Sequence, residues 1–347
     1  NGSISITGIG GVNSDATSHG VGINFYSDSA AHNLSTVNGA LSLAGTAGTG
    51  TARLRAGINI DGGAANIYST TGAIGITGSG TSGATGVMNS GGTITVGKNG
   101  STITTGDVTF SADSLSFAAG SFGVYGTGKL NVKPYTTGAT VGVGSGTGTL
   151  SLPSSWFTGT SVFKDGFSSI VLGAADAGAV TVGGANTFAD NVTLLTGSNL
   201  TLNSGATITD TQNNGYIALA AGGNFINSAG ASALTTTGTS GRWLVYLSSP
   251  TALVTDGGLN SANAPVWGQT YASQAPSAVA VTGNRYVFST TPTVAVAASG
   301  SKVYGTTLTS ADVLSLSSSA SGGSVYTLPT LADVFSALPT AASSGLA

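Results

Sequence analysis

The residues that could perform acid–base chemistry in this chain are few and widely spaced. All twelve acidic residues are Asp, and the nearest two in sequence are Asp107 and Asp113. Polysaccharide cleavage needs clustered carboxylates with basic partners. Several carboxylates instead stand beside Gly or turn residues, where Asp typically caps the backbone: Asp61, Asp107, Asp165, Asp176 and Asp190. We therefore predict that the protein is not an enzyme, with a polysaccharide-degrading activity as an alternative.

Metal and cofactor chemistry also lacks suitable residues. The chain has no Cys, and its two His residues, His19 and His32, form no metal-ligand spacing with other residues. Arg53 and Arg55 share one face of a strand by period two and have the charge to hold an acidic glycan. We favour a solvated strand face for this pair. The sequence predicts no metal and no cofactor.

Aromatic side chains form two groups that could contact a ligand. The first lies after residue 240 and includes two Arg residues: Arg242, Trp243, Tyr246, Trp267, Tyr271, Arg285 and Tyr286. The second interrupts the repeat pattern described below: Trp156, Phe157, Phe163 and Phe167. Such rings can stack on sugars, but they also dominate protein cores. We favour core packing for the first group, with glycan stacking as the alternative. We favour a loop packed onto the rod for the second, with ligand contact as the alternative.

Composition indicates the elements that must position these residues. Charged residues make up 6% of the 347-residue chain, against about 25% in typical globular domains. Glu is absent and Gly occurs 56 times, so long helices are not expected. The net charge of −3, without a basic stripe, does not predict nucleic-acid binding. No apolar run reaches the roughly 18 residues of a membrane helix. Because the chain begins at Asn1 without a leader pattern, we expect a processed product or a piece of a longer protein.

Short apolar pairs recur at period two, with Gly beside many of them. The first six pairs start 17, 20, 17, 16 and 20 residues apart: Ile4/Ile6, Val21/Ile23, Leu41/Leu43, Ile58/Ile60, Ile74/Ile76 and Ile94/Val96. Each pair places two apolar side chains on one strand face, and stacked strands bury that face together. The pattern predicts an all-β parallel β-helix with about 20 residues per coil, about a dozen coils and a length of roughly 60 Å.

The pattern also divides the chain. We predict a β-helix shaft over residues 1–240, with a loop-rich insertion at about 107–170. A carboxyl-terminal cap of the β-helix follows at 241–292, closed by a strand at 284–288. Residues 293–347 are predicted as the start of a small β module or an extended tail. Within this tail, residues 294–296 and 302–304 begin new β elements, and 328–338 has apolar residues at helical spacing after Pro329.

Three motifs near the cap resemble a known family. Ser240–Tyr246 (SGRWLVY), Gly257–Leu259 (GGL) and Gly283–Phe288 (GNRYVF) are similar to the distal region of filamentous-haemagglutinin-like exoproteins of the two-partner secretion pathway. Ser301–Gly305 (SKVYG) resembles the opening of the small β modules that follow in such proteins. The resemblance is specific over about residues 240–305. It implies a right-handed β-helix, exported through an outer-membrane transporter partner and displayed on, or shed from, a bacterial surface.

These observations predict a secreted or cell-surface structural protein of adhesin type. Family members act as adhesins, as components of a biofilm matrix or as carriers of other activities, so a surface glycan or host-cell ligand is an expected partner. The amino end starts directly in a strand pattern at Ser3–Ile6 without a cap. Because uncovered strand edges pair with other chains, we expect a homo-oligomer or filament joined through the solenoid ends. The alternatives are a glycan-binding module and an ice-binding solenoid suggested by Thr93/Thr95 and Thr207/Thr209.

Overall fold

The computed structural model describes residues 2–12, 14–15, 17–27, 32–80, 83–118, 120–291, 293–298 and 314–318. In these residues the chain winds into an all-β solenoid in which strands of successive coils pair in parallel. This confirms the predicted parallel β-helix; the right-handed winding remains an expectation from the resemblance. The expected elements at 302–304 and 328–338, and the motif at 301–305, lie outside the described residues.

One sheet, here called the long sheet, runs through the whole rod. Its eleven described strands are, in spatial order, Ile4–Ile9, Leu41–Thr46, Ile74–Ser79, Val108–Ala112, Lys129–Lys133, Ser169–Ala174, Val192–Thr196, Tyr216–Ala221, Arg242–Leu247, Arg285–Phe288 and Val266–Trp267. At about 4.8 Å between neighbouring strands, this sheet is roughly 50 Å long.

The other faces of the rod change partway along it. In the amino-terminal half, one side sheet contains His19–Ser27, Leu54–Gly62, Thr85–Asn89 and Leu115–Ser116, and a second contains His32–Thr36, Ala64–Ser69, Thr93–Val96 and Phe122–Val124. In the carboxyl-terminal half, one side sheet contains Leu150–Leu152, Val141–Gly144, Val180–Gly183, Leu200–Leu202, Phe225–Asn227 and Leu253–Thr255, and a second contains Ala185–Phe188, Thr207–Asn213 and Leu234–Thr237.

One short hairpin, one further antiparallel strand pair and three 3-10 turns complete the described structure. Lys98–Asn99 pairs antiparallel with Thr102–Ile103, and Val294–Ala298 pairs antiparallel with Leu314–Ser318. The latter pair starts at the position predicted for a new tail element. The 3-10 turns are Ser154–Phe157, Pro250–Ala252 and Pro276–Ala278.

Coil length differs from the prediction in the amino-terminal half. Ile4 pairs with Leu41, so the first coil takes 37 residues, whereas Val192 pairs with Ile217, 25 residues later. The predicted repeat of about 20 residues was wrong there because successive apolar pairs lie on different faces. Ile4 is in the long sheet, and Val21 is in a side sheet. Spacing alone does not identify the face on which a strand lies.

The core is built as ladders of apolar side chains. One inward-facing ladder follows the register of the long sheet from end to end: Ile6, Leu43, Ile76, Phe110, Val132, Leu172, Leu194, Leu219, Val245 and Tyr286. All members except Ile6 are buried. Each strand therefore buries its apolar face mainly against its own neighbours in the stack, as expected for a solenoid.

Gly residues allow the long sheet and its neighbouring side sheet to approach closely. A Cβ atom on Gly45 would overlap the backbone carbonyl of Gly57, and one on Gly78 would overlap that of Gly86. No side chain fits at such a position without displacing the backbone. These contacts give a physical reason for the Gly that accompanies the apolar pairs.

The irregular part of the shaft is narrower than the predicted insertion at about 107–170. Val108–Ala112 and Lys129–Lys133 pair in register within the long sheet, so they belong to regular coils. The irregularity lies after residue 144, where Leu150–Leu152 pairs back onto Val141–Gly144 and the turn Ser154–Phe157 follows. The prediction was too broad because the coil lengths change in this region.

Candidate functional site

The cap contains the largest set of predicted site residues, and its segment 256–284 connects the last two coils. The Arg242 guanidinium donates to three backbone carbonyls of this segment: Nη1 to Val279 O at 2.9 Å and Val281 O at 2.7 Å, and Nη2 to Pro276 O at 2.6 Å. These bonds use its hydrogen-bonding capacity to hold the cap against the rod. Arg242 therefore has a structural role, which is to fix the cap to the rod.

Arg285 has a similar role on the last strand of the coil. Its Nη1 donates to Ser261 O at 3.3 Å and to Asn284 O at 2.7 Å. Its Nε is buried and has no hydrogen-bond partner among the described residues. Both predicted cap guanidinium groups thus bind the protein's own backbone, and neither is arranged to receive a ligand.

Three predicted cap aromatics close the end of the core. Trp243 and Tyr286 are buried, and their ring centroids lie 5.3 Å apart at a steep angle. Trp267 is half-buried and packs on Phe288 with centroids 5.0 Å apart. Burial raises the pKa of the Tyr286 hydroxyl above its ordinary value. The first two rings have no free face for a sugar, which supports the core-packing interpretation for them.

The remaining two cap aromatics lie together on the outer face of the long sheet. Tyr246 and Tyr271 are in edge-to-face contact, with centroids 5.7 Å apart. Tyr246 is buried, its hydroxyl donates to Gln274 O at 3.1 Å, and its pKa is raised by burial. Both residues line a groove of about 450 Å³ that also includes Leu195, Ala220 and Ser289. Of the seven predicted residues, the structure brings only this pair to a common groove, and the groove is mostly apolar.

The second predicted group lies inside the rod. Trp156, Phe157, Phe163 and Phe167 are all buried and belong to the continuous core. The Phe157 and Phe163 rings stack with centroids 5.1 Å apart. Residues 153–168 thus pack their aromatic rings into the core of the rod, and the buried rings present no face to a ligand. These rings fill the core where the side sheets change.

Several carboxylates accept hydrogen bonds from the backbone of a neighbouring coil, which differs from the local turn caps predicted for Asp107 and Asp190. The Asp107 carboxylate accepts from Lys129 N at 2.8 Å, and that of Asp113 accepts from Tyr135 N and Thr136 N. His19 and His32 lie in different side sheets and are both exposed. Among the described residues, no three His, Cys, Asp or Glu side chains are grouped to hold a metal ion.

Two buried carboxyl groups were not singled out as unusual by the sequence analysis. Burial raises the pKa of Asp190 to about 6, although Gly166 N donates to its carboxylate at 3.0 Å. Burial likewise raises the pKa of Asp210 to about 6. Asp210 Oδ1 accepts from Gln212 N at 2.8 Å, whereas Oδ2 has no partner among the described residues. A turn-rich sequence context does not reveal which Asp is buried.

The chain matches no protein-family model, no curated protein and no solved structure. In the described part of the chain, no helix is long and apolar enough to cross a membrane.

Proposed function

We propose that this protein is a structural, adhesin-type rod of the bacterial cell surface or secreted space, which associates with further copies of itself and does not act as an enzyme. The observation that carries the proposal is the outer edge of the first described coil. There the strands Ile4–Ile9, His19–Ser27 and His32–Thr36 are the outermost strands of their sheets. An outermost strand presents backbone groups that can pair with another chain.

The free backbone groups follow from the register of the first strand. Ile4 N donates to Ala40 O, and Gly10 N donates to Thr46 O. Because alternate residues of a strand point to opposite neighbours, the N–H and C=O groups of Ser5, Thr7 and Ile9 face away from the rest of the sheet. They form a template for one further strand.

Apolar side chains are incompletely covered at the same end. Ile6, Phe25 and Leu34 are only partly buried against the core. Their equivalents in later coils, such as Leu43 and Ile76, are fully buried. Covering the end with another rung would remove this apolar surface from water, which is favourable.

Side-chain amides of neighbouring strands also form hydrogen-bonded ladders at this end of the rod. Asn59 Nδ2 donates to Asn24 Oδ1 at 2.9 Å, and Asn66 Nδ2 donates to Asn33 Oδ1 at 2.9 Å. Asn24 and Asn33 are the outermost members of these two ladders and are exposed. Such ladders stabilise stacked strands in repetitive β structures.

A second copy of this chain is the proposed occupant of the amino end. The carboxyl end is covered by its own segment 256–284, so joining amino end to carboxyl end is not favoured. Two amino ends related by a two-fold axis perpendicular to the rods place the long-sheet edge of each copy against that of the other. Such an interface is self-complementary, as two-fold contacts require.

The resemblance at residues 240–305 supports the proposed location. It implies export through an outer-membrane transporter partner and a place on the surface or in a biofilm matrix, where paired rods would act as building blocks. A surface glycan or host-cell molecule is the ligand expected of an adhesin-type rod.

The test is a change on the edge that removes pairing without disturbing the coil. Proline in place of Ser5 removes an outward N–H and is tolerated on an edge strand. We expect Ser5→Pro to abolish concentration-dependent association in sedimentation equilibrium, whereas the matched control Ser5→Thr retains it. Association that is unchanged in Ser5→Pro, or absent from the unmodified chain at every concentration, would contradict the proposal.

A further inference from the structure

The groove lined by Tyr246 and Tyr271 is the open part of an apolar surface on the outside of the long sheet. The buried members of this surface come from the last strands of the sheet and from the cap: Ala218, Ala220, Leu244, Tyr246, Val279 and Val287. Leu195 and Tyr271 pack against them but are only partly buried. The cap therefore covers one part of the apolar surface and leaves the other part, in the groove, in contact with water.

The groove runs along the rod axis across three neighbouring strands. Leu195, Ala220 and Tyr246 are successive partners in the register of the long sheet, and all three line the groove. At about 4.8 Å between strands, the first and the last of these positions lie roughly 10 Å apart. None of the fourteen lining residues is charged. The groove is thus suited to an elongated apolar partner that spans about 10 Å.

The sequence of the same chain contains a partner of this kind at 328–338, here called the tail segment, which lies outside the described residues. Leu331, Phe335 and Leu338 stand at positions i, i+4 and i+7. In a helix they share one face, and at 1.5 Å per residue the first and the last are about 10 Å apart along the axis. Asp333, the only charged residue of the tail segment, falls on the opposite face. This is the pattern by which a short amphipathic helix binds an apolar groove.

The chain between the groove and the tail segment allows the two to meet. Ser289 lines the groove, and the strand Val294–Ala298 begins five residues later. The antiparallel partner of this strand brings the chain back, because Ser318 is paired with Val294. Leu331 follows Ser318 by thirteen residues, which span at most about 45 Å. A tether of this length holds the tail segment at a high effective concentration around the groove.

We propose that the tail segment binds as a short helix in the groove of its own chain, with Phe335 against Tyr246 and Tyr271 and with Asp333 toward water. Binding removes the partly exposed side chain of Leu195 from water, which is favourable, and adds contacts between aromatic rings. The inference does not depend on the proposed self-association, because none of the residues that line the groove belongs to the first coil.

The test places one nitroxide label on the tail segment of the full chain. The chain has no Cys, so Ser336→Cys creates a single labelling site, and this position lies away from the apolar face of the helix. We expect the label to broaden the NMR amide signals of Gly197 and Tyr271 in the groove and to leave those of the first strand unchanged. Adding Phe335→Ala should restore the groove signals. The matched control Tyr326→Ala removes an aromatic ring outside the tail segment and should leave them broadened.

The proposal is overturned if the groove signals are not broadened, or if Phe335→Ala and Tyr326→Ala change them equally. A mixture of nitroxide-labelled chain with isotope-labelled chain that carries no nitroxide distinguishes a contact within one chain from a contact between copies. Equal broadening in this mixture would assign the groove to the tail segment of a second copy and would also overturn the proposal. Loss of association in Ser5→Pro should leave the groove signals broadened, so the two proposals fail independently.

Discussion

The two ends of the described rod differ in how the apolar face of the terminal coil is covered. At the carboxyl end, the long sheet finishes in the two-residue strand Val266–Trp267, and segment 256–284 is fixed to the rod by Arg242 and Arg285. At the amino end, the first coil has no such cover among the described residues, and Ile6 is only partly buried. Segment 256–284 covers the last coil of the described rod, whereas the first described coil keeps part of its apolar face exposed, where we propose that a partner pairs.

The difference between the ends shows how the burial of a coil depends on its position in the solenoid. Interior coils are stabilised by neighbours on both sides, so their ladders are fully buried. A terminal coil has a neighbour on one side only. The irregular segment at the carboxyl end supplies the missing neighbour, which is why its sequence departs from the repeat and why the two strands beside it carry Arg242 and Arg285.

The largest expected effect on the free energy of unfolding comes from truncating side chains at equivalent positions of the long-sheet core ladder. Ile6 and Ile76 are both aligned with Leu43, but Ile76 is fully buried. We expect Ile76→Ala to lower the free energy of unfolding by about 2–5 kcal/mol, and Ile6→Ala by about 1 kcal/mol at low protein concentration. Denaturant titration measures both values. If both variants lost the same free energy of unfolding at low protein concentration, the core at the amino end would already be covered.

The next largest expected effect on stability concerns the hydrogen bonds by which Arg242 fixes the cap to the rod. Arg242→Met retains much of the apolar stem but removes three hydrogen bonds to cap carbonyls. We expect a loss of about 2–4 kcal/mol, since hydrogen bonds from charged groups are stronger than neutral ones and their loss leaves partly buried carbonyls unpaired. Proteolysis should begin within residues 256–284.

Arg53→Met is the control for Arg242→Met, because Arg53 is exposed. It should change stability by less than about 0.5 kcal/mol. A cap that resists proteolysis in Arg242→Met as well as in the unmodified chain would mean that the apolar contacts alone hold it.

The smallest predicted effect on stability depends on pH. Burial raises the pKa of Asp210 to about 6, above the ordinary value of about 4. Between these values the folded state holds a proton that the unfolded state has lost, so the contribution of this group to stability falls as pH rises from about 4 to about 6 and is constant above that. Asp210→Asn should therefore stabilise the protein by about 1–3 kcal/mol at pH 8 and have little effect at pH 4.

The exposed Asp176 provides the comparison for this pH effect, and Asp176→Asn should show no such dependence. Thermal unfolding at the two pH values measures the difference. Destabilisation by Asp210→Asn at pH 8 would mean that the ionised carboxylate is favourable in the fold.

The sequence was sufficient for the repetitive part of the fold because period-two patterns depend on local geometry. Ile58/Ile60 and Ile74/Ile76, for example, were predicted as inward pairs and are fully buried. Coil length was not predictable in this way, since consecutive pairs at similar spacing occupy different sheets. The depth at which Trp156 packs was not predictable, because a break in the repeat has the same sequence signature inside the core as on the surface.

The candidate sites were harder to predict than the fold. The cap aromatics were recognisable by type, but only the structure distinguishes the buried Trp243 and Tyr286 from the groove-lining Tyr271. The burial of Asp210 gave no signal, because the strands on either side of it become neighbours only when the coils stack. Local sequence carries no record of such long-range contacts.

The most direct test of the contrast between the two ends is electron microscopy of the purified chain with averaging of particle images. The account predicts pairs of rods joined end to end at their amino termini, about 100 Å along their two long sheets, with a cap at each outer end. Head-to-tail chains with a repeat of one rod length, or single rods at every concentration, would contradict it.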